Sequence, residues 1–373
     1  MRRTLTATAL VLVFALVVAA CGDDDGTATT AGPSTSAGES TATAASGATE
    51  LNALVWCDHT DPELLAPFEE ANNVKVNVKD YDGTGVALGI LEQSQPGEWD
   101  VFVVDSVDVP RVVEAGILAP LNPDDYPWDD FFPDVDLPGT HYQDDVLYAV
   151  PEKFGYNTIA FNNENVPVEA MRDVESLWDP EYSGRIAVYD YYIPVMEQVA
   201  ISLGIEPSAI TADDLPAIEQ RLMDLKPHVA LIGDVVTVQT ALATGEVDII
   251  VGGGEFVTGV LHSENPAYDW ILPDQGGIRW QQAIGVMADS TRKDLAAKFV
   301  QYIVGPEGQA RLATSSCYWA MPANSKAALS DDEKAVLRWD EQPTFVANSD
   351  PYFIPDADLD AAMLDVWTRF LQG

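Results

Sequence analysis

Short apolar runs alternate with amphipathic stretches from residue 51 to the end of the chain, and this alternation predicts an α/β fold. The runs LNALVWC, VKVNVKDY and VDIIVGGG predict strands, and DVFVVD is apolar almost throughout, as is typical of a strand buried on both faces of a sheet. The segment DPELLAPFEEAN predicts a helix, because Leu64 and Phe68 fall on one face and Thr60 or Asp61 can cap its first turn.

The later part of the chain continues this alternation. The run VLYAVPEKFGYNTIAFN predicts two strands, since Pro151 and Gly155 interrupt it, and we interpret the interruption as a crossing between two lobes. The segment STRKDLAAKFVQYIVG predicts a helix with a Ser or Thr cap that ends at Gly305, and ADLDAAMLDVWTRFL predicts the last helix. Further strands are predicted at GRIAVYD, HVALI and 283–286, and further helices around 195–203, 213–225 and 235–243.

The N-terminal residues have the pattern of an export signal. Arg2 and Arg3 precede the apolar run ALVLVFALVVAA, which is too short for a membrane-spanning helix of about 20 residues. The run ends in VAAC, which resembles a bacterial lipobox. We therefore predict a lipoprotein signal peptide at 1–20, a lipidated Cys21, and a disordered tether at 21–50 that has almost nothing to bury. The alternative is an ordinary signal peptide cut nearby, which would leave Cys21 as a free thiol.

The formal net charge of -41 comes from 60 acidic and 19 basic residues. We therefore expect no nucleic acid as a partner, because phosphate contacts need clusters of Lys and Arg. Two explanations of the charge remain: its field concentrates cationic solutes, or it only keeps the protein soluble. The two cysteines beyond the tether, Cys57 and Cys317, are expected to form a disulfide in an exported protein, and the alternative is two separate buried thiols.

Motifs of enzyme chemistry are missing from the sequence. It has no Gly-x-Ser-x-Gly, no P-loop lysine, no His-Glu-x-x-His and no cysteine pair at metal-ligand spacing, and its four histidines are scattered. The run VGGGEFVTG lacks the spacing of a dinucleotide-binding loop and predicts a close approach of the backbone instead. We therefore expect no catalytic activity, no cofactor and no metal site.

Aromatic and polar residues stand at the carboxyl ends of the predicted strands, where ligands bind in open α/β sheets. Taken singly, each of the acidic ones is as well explained by a helix cap or a turn. In IRWQQAIGV, strand alternation puts Trp280 and Gln282 on one face and Arg279 on the other. The strand-end residues are Trp56, Asp58, Asp105, Ser106, Asp190, Tyr191, Tyr192 and Glu255.

Several longer segments resemble the spermidine/putrescine-binding proteins of bacterial ABC importers, within the class of extracellular solute-binding proteins. These segments include LVWCDHTDPELLAPFEEANNVKV, YAVPEKFGYNTIAFN, LATGEVDIIVGGGEF, GGIRWQQAIGV and CYWAMPAN, and SLWDPEYSGRIAVYD is the most specific of them. The resemblance implies a two-lobed periplasmic-binding-protein-like fold with a hinged ligand cleft between the lobes. It places lobe 1 at 51–155 plus 280–326 and lobe 2 at 156–279 plus 327–373.

The resemblance also implies a ligand site in which carboxylates hold ammonium groups and aromatic rings cover the methylene stem. Some of the family's acidic positions differ: Gln282 replaces an aspartate, and Tyr191 and Pro194 stand where an Asp and a Glu are usual. Aromatic positions of the family are also replaced, by Gly253 and Val107. The ligand-binding residues that we predict are Trp56, Asp58, Asp105, Ser106, Tyr191, Gly253, Glu255, Trp280, Gln282, Tyr318 and Trp319.

We therefore expect a monomeric, lipid-anchored protein that captures a small polar solute outside the cell membrane and delivers it to an ABC permease. The solute is expected to be polyamine-like or another amine. An amino acid is the alternative, since Arg279, Gln281 and Gln282 carry donors for a carboxylate. Ferric ion capture, a sensor component and an exported hydrolase on the same scaffold are further alternatives, and YDYY is the hint of a metal.

Overall fold

The computed structural model describes residues 49–81, 83–133, 135 and 140–373. The predicted signal peptide, Cys21 and nearly all of the predicted tether lie outside these residues. Among the described helices, none combines the length and the apolar character that crossing a membrane requires.

The described residues form thirteen strands and thirteen helices, which confirms the α/β prediction. The strands are β1 Thr49–Val55, β2 Val74–Asp80, β3 Val101–Asp105, β4 Tyr142–Gln143, β5 Val146–Leu147, β6 Ala149–Asn162, β7 Ile186–Tyr189, β8 Val229–Gly233, β9 Ile249–Gly253, β10 Tyr268–Ile271, β11 Gly277–Val286, β12 Met321–Pro322 and β13 Ser349–Pro351. The helices are α1 Pro62–Asn72, α2 Thr84–Gln93, α3 Val109–Glu114, α4 Val168–Met171, α5 Tyr192–Ser202, α6 Leu215–Leu225, α7 Val235–Thr244, α8 Glu255–Leu261, α9 Lys293–Val304, α10 Pro306–Ala313, α11 Asp331–Val336, α12 Gln342–Ala347 and α13 Ala357–Gln372.

The main sheet has two parallel parts joined by two long antiparallel strands. Its order is β2-β1-β3-β11-β6-β9-β7-β8. Strand β1 is parallel to β2 and β3, and β7 is parallel to β8 and β9. Strands β6 and β11 pair with each other in antiparallel fashion and connect the two parts.

The pairing registers bring the carboxyl ends of both parallel parts to the middle of β6. Asp105 at the end of β3 pairs with Gln282, which in turn pairs with Lys153 of β6. Gly253 at the end of β9 pairs with Thr158 of β6. Strand β3 runs in the same direction as β6, and β9 runs in the opposite direction. The carboxyl ends of the two parallel parts therefore approach the middle of β6 from opposite sides.

Strand β6 continues without interruption through the segment where two strands were predicted, so that prediction was wrong. The predicted break is a bulge instead: Gln282 pairs with Lys153 and Ala283 pairs with Pro151, which leaves Glu152 as an extra residue. A bulge accommodates Pro151, which has no N–H for the ladder, without ending the strand.

Separate apolar cores pack against the two parts of the sheet. Strand β3 is buried on both faces as predicted, because Val101 and Val103 belong to one core while Phe102 and Val104 belong to another. A third core packs around β7, β9 and the later half of β6, with α5, α6 and α13 over it. Two of the three predicted lobe boundaries fall within β6 and β11, the third falls between β12 and α11, and all three stay a prediction.

Two local features link the ends of these elements. The predicted disulfide between Cys57 and Cys317 is confirmed: the Cα atoms are 6.0 Å apart across 260 residues of sequence. The bridge holds the turn after β1 against the segment after α10. The predicted Ser or Thr cap of α9 was wrong, because the helix begins at Lys293 and Arg292 occupies the cap position without a side-chain cap. Ser290 lies two residues earlier, where it donates its hydroxyl to Asp100 at 2.6 Å and accepts the Arg292 N–H at 3.0 Å.

Candidate functional site

One face of the sheet carries a row of three polar side chains across β3, β11 and β6. Asp105, Gln282 and Lys153 stand directly opposite one another, and opposite residues of antiparallel strands point to the same face. Trp280 lies on the same face two residues from Gln282 and stands opposite Gly155. This row lies at the end of β3, on one side of the region of β6 on which both sets of strand ends converge, and we take it as the reference point of the candidate site.

Lys153 is fully buried, and its ammonium group is completely engaged. It donates to Asp58 Oδ2 at 2.9 Å, to the Leu312 carbonyl at 3.0 Å and to the Tyr318 carbonyl at 3.1 Å. The ring of Tyr318 also lies over it, with the centroid 4.0 Å from Nζ. A lysine has three N–H donors, so none is left for another acceptor.

His59 extends this arrangement into a buried ion cluster, which we define as Asp58, His59, Glu152 and Lys153. Its Nδ1 lies 2.8 Å from Asp58 Oδ1, and its Nε2 lies 3.1 Å from Glu152 Oε2. Burial opposes charge on His59, but Glu152 and then Asp58 raise its pKa to about 10. Burial likewise opposes charge on Asp58, yet Lys153 and His59 hold its pKa well below its usual range. The bulge in β6 lets the consecutive residues Glu152 and Lys153 both reach the turn after β1.

Asp105 differs from the acids of this cluster because its carboxyl group has no ion pair or hydrogen bond with any described side chain or backbone group. The residue is half-buried at the end of β3. Burial, and then the neighbouring charge of Asp108, raise the pKa of Asp105 to about 7. Asp108 itself is paired with Arg111 at 2.9 Å.

Aromatic residues follow the strand ends in both parts of the sheet. Trp56 and Tyr81 follow β1 and β2, and their centroids are 5.1 Å apart. Tyr191 follows β7, and its hydroxyl lies 2.6 Å from that of Tyr352, whose backbone N–H bonds to β11. Burial raises the pKa of Tyr81, Tyr191 and Tyr352, and the negative charge of Asp105 adds to each shift. The Tyr81 hydroxyl donates to the Val103 carbonyl, which holds this ring against β3 two residues before Asp105.

A second aromatic group surrounds Trp280. Its ring lies 6.1 Å from that of Tyr318 and 6.5 Å from that of Phe256. Glu255, at the start of α8, accepts the backbone N–H of Tyr156 at 3.0 Å through Oε1, while Oε2 has no hydrogen-bond partner in the described part of the chain. Burial raises the pKa of Glu255 to about 8.

Gly155 leaves the space in which Glu255 and Trp280 meet the sheet. A Cβ atom on Gly155 would stand 1.8 Å from Glu255 Oε1 and 2.4 Å from the Trp280 ring. We predict that Gly155→Ala lowers the free energy of unfolding by about 1 to 3 kcal/mol, as overpacking does, and displaces Trp280. Chemical denaturation and Trp fluorescence measure both effects.

Gly89→Ala is the matched control for this substitution. Gly89 lies inside α2 with no atom within 4 Å of its added Cβ, so alanine should be neutral or should stabilise the helix by about 0.5 to 1 kcal/mol. Equal stability losses at the two glycines would contradict a steric role of Gly155.

The family of bacterial extracellular solute-binding proteins matches this chain over residues 63–344. The chain belongs to that family. This membership confirms the expectations of a solute-binding protein of the ABC-importer class and of a protein that is not an enzyme.

Individual relatives agree with this assignment at low sequence identity. The spermidine/putrescine-binding periplasmic protein of Escherichia coli (strain K12) is 23% identical over 70% of this chain and 75% of its own length. The putrescine/agmatine-binding protein of Pseudomonas aeruginosa is 25% identical over 75% of this chain and 80% of its own. The solved spermidine/putrescine ABC transporter substrate-binding protein of Streptococcus pneumoniae has a TM-score of 0.75 at 19% identity, covering 87% of this chain and 99% of its own. The structural match shows the two-lobed fold.

In this solute-binding protein, the structure brings the predicted site residues into two neighbouring groups. Trp56, Asp105 and Tyr191 stand at the ends of β1, β3 and β7, and five others lie in or beside the row at Gln282: Asp58, Glu255, Trp280, Gln282 and Tyr318.

Three predicted residues are engaged elsewhere. The Ser106 hydroxyl forms a hydrogen bond with His141 Nε2 at 2.9 Å. A Cβ atom on Gly253 would clash with Ala160, and the side chain of Trp319 packs on Gly259 of α8.

Sequence reasoning missed Tyr81, Lys153, Phe256 and Tyr352. Tyr81 follows β2 just as Trp56 follows β1, so the strand-end rule applied to every parallel strand would have found it. Tyr352 reaches the site through the pairing of β13 with β11, which no local pattern indicates. Arg279 donates to the Val346 carbonyl at 3.3 Å, on the side of α12.

Proposed function

We propose that this protein captures a small organic cation, either polyamine-like or another amine, and delivers it to an ABC permease. The observation that carries the proposal is Asp105: a half-buried carboxyl group without a described partner, at the end of β3 opposite Gln282, where the Tyr81 ring lies against β3 and beside Trp56. An ammonium group gains both a charge-assisted hydrogen bond and cation–π attraction in such a place.

The cations near the site do not favour an anionic ligand. Lys153 has used its three donors, and His59 is held between Asp58 and Glu152. A ligand carboxylate would therefore meet the negative charge of Asp105 without a free ammonium or imidazolium beside it. The net charge of -41 acts in the same direction, because a negative field concentrates cations.

The remaining parts of the proposal concern how the protein works outside the cell. Cys21 carries the lipid anchor, residues 21–50 are the tether, and the body acts as a monomer. The lobes are 51–155 plus 280–326 and 156–279 plus 327–373, and they close on the ligand at the middle of β6 and β11. The curated relatives named for spermidine, putrescine and agmatine support an amine as the ligand.

Calorimetry and thermal denaturation of the purified protein test this proposal. The panel consists of putrescine, spermidine, agmatine, 4-aminobutanol, glutamate, glycine and ferric citrate. We predict that at least one amine without a carboxylate raises the melting temperature; at 100 times its Kd it would stabilise the protein by about 2.7 kcal/mol. Glutamate, glycine and ferric citrate should leave the melting temperature unchanged. Binding of an amino acid or iron without binding of any amine would overturn the proposal.

A further inference from the structure

The surroundings of the Lys153 ammonium have the composition of a binding site for a ligand ammonium. One carboxylate, Asp58, two backbone carbonyls and one aromatic face enclose Nζ at distances of 2.9 to 4.0 Å. A carboxylate beside an aromatic face is the combination that binds organic cations. We call this enclosure the ammonium box and define it by Asp58, Tyr318 and the carbonyl of Leu312.

The ammonium box belongs to the same face as the candidate ligand site. Lys153 stands directly opposite Gln282, and Gln282 Nε2 donates to the Tyr318 hydroxyl at 2.7 Å. The ring of Tyr318 covers Lys153 on one side and meets the ring of Trp280 at 6.1 Å. Tyr318 is therefore a shared wall between the box and the aromatic group around Trp280.

The box is rigidly built. The Cys57–Cys317 disulfide joins the residues that immediately precede Asp58 and Tyr318, so it ties two of its walls together. His59 binds the second oxygen of Asp58 at 2.8 Å, and the hydroxyl of Ser315 donates to the Asp58 carbonyl at 2.8 Å. Such support is typical of a preorganised binding site, but here the protein's own side chain occupies it.

We propose that Lys153 is a resident ammonium that determines ligand specificity: it fills the ammonium box, so the cleft accepts a ligand with one cationic end and excludes a diamine. This inference rests on the proposed function and names the class of amine. Asp105 then anchors the single ammonium group, since its carboxyl group is only half-buried and has no described partner, whereas Glu255 is fully buried.

The other end of the ligand is expected to be uncharged and polar. Gln282 Oε1 is buried in the same row and has no hydrogen-bond partner within the described residues. A buried acceptor without a partner favours a ligand with a hydroxyl or amide donor. It disfavours an analogue that lacks the donor, because the buried acceptor would then stay unpaired.

The first arm of the test uses the wild-type protein and a pair of ligands of equal length. The two ligands, 4-aminobutanol and putrescine, differ only in one terminal group. That group is a hydroxyl in 4-aminobutanol and an ammonium in putrescine. Calorimetry should show 4-aminobutanol bound at least about tenfold more tightly than putrescine, a difference of about 1.4 kcal/mol. Equal affinities, or tighter binding of putrescine, would overturn the inference.

The second arm empties the box. In Lys153→Ala, propylammonium at millimolar concentration should raise the melting temperature, because it replaces the missing side chain beside Asp58, while wild type should not respond. Putrescine affinity should also rise at least about tenfold relative to wild type. The double variant Asp58→Asn/Lys153→Ala lacks the anion of the box and should show neither effect. A folded Lys153→Ala that gains neither effect would contradict a resident ammonium.

The arms separate this inference from the proposed function. If no amine binds the wild type, the proposed function fails, while rescue of Lys153→Ala by propylammonium would still show that the box binds ammonium. If Lys153→Ala does not fold without propylammonium, refolding yield with and without it replaces the melting temperature as the readout, and an unchanged yield counts against the inference. Whether or not Lys153→Ala folds, the relative affinity of the wild type for 4-aminobutanol and putrescine decides the specificity.

Discussion

Asp58→Asn is expected to lower the free energy of unfolding by about 3 to 5 kcal/mol, the usual cost of removing one partner from a buried ion pair. Asp58 is fully buried and is the anion shared by Lys153 and His59. Asparagine keeps the shape but leaves two buried cations with only Glu152 to balance them. Chemical denaturation followed by circular dichroism measures the loss.

Glu219→Gln is the control for this prediction. Glu219 binds Arg369 through two oxygens at 2.6 and 2.8 Å, which is at least as short as the 2.9 Å contact of Asp58 with Lys153. The Arg369 side chain is 51% exposed, however, and exposed ion pairs contribute less than about 1 kcal/mol. The two variants should therefore differ in their loss of stability because one ion pair is buried and the other is exposed, and not because the contact distances differ. Similar losses in the two variants would contradict the role assigned to the cluster.

The pH dependence of stability should follow from the same cluster. The pKa of His59 is raised from 6.5 to about 10, so its stabilising contribution is complete below pH 6.5 and disappears as pH rises towards 10. The pKa of Asp58 is lowered, so its contribution is present at neutral pH and disappears only in strong acid. The stability gap between wild type and Asp58→Asn should therefore be widest near pH 6 and should narrow towards pH 10.

Local pattern was enough to predict the strand ends that form the candidate site. Strands such as DVFVVD are recognisable from their apolar runs, and parallel neighbours bring their carboxyl ends together whatever the rest of the fold does. Trp56, Asp105 and Tyr191 could therefore be predicted without knowing how β6 and β11 pair. The disulfide prediction succeeded for a different reason, because few cysteines in an exported chain leave few ways to pair them.

The features that the sequence did not reveal depend on register and on competition between partners. The bulge at Glu152 sets which residue of β6 meets Gln282, and a single-residue slip would turn Lys153 to the other face. Asp58 has the position of a ligand carboxylate by resemblance, yet Lys153 and His59 use it within the protein. The Ser or Thr cap of α9 failed because the helix begins at Lys293, which leaves Arg292 at the cap position and Ser290 two residues before it.

Asp105→Asn is expected to weaken amine binding by about 10- to 100-fold, since a hydrogen bond to a charged group contributes about 1.5 to 3 kcal/mol. Asp105 has no described partner to compensate, so the substitution should change the fold's stability little. Calorimetry with the tightest amine of the panel measures the loss, and thermal denaturation without ligand checks the fold. Wild-type affinity in Asp105→Asn would show that the ammonium group binds elsewhere.

The pH dependence of binding provides an independent test of Asp105. Its pKa is about 7 in the free protein, while the complex with a cation requires the ionised carboxylate, so binding releases a proton at acidic pH. Affinity should be about 30-fold lower at pH 5.5 than at pH 8, because each pH unit below the pKa costs about a factor of ten.

Two variants should change this profile in different ways. Asp105→Asn has no proton to release there, so its affinity should be nearly independent of pH from 5.5 to 7. Asp108→Asn removes the like charge that helps to raise the pKa of Asp105, so the inflection should move below pH 7. An inflection that persists in Asp105→Asn would assign the titration to another carboxyl group, and Glu255→Gln would test that group directly, since its pKa is raised to about 8.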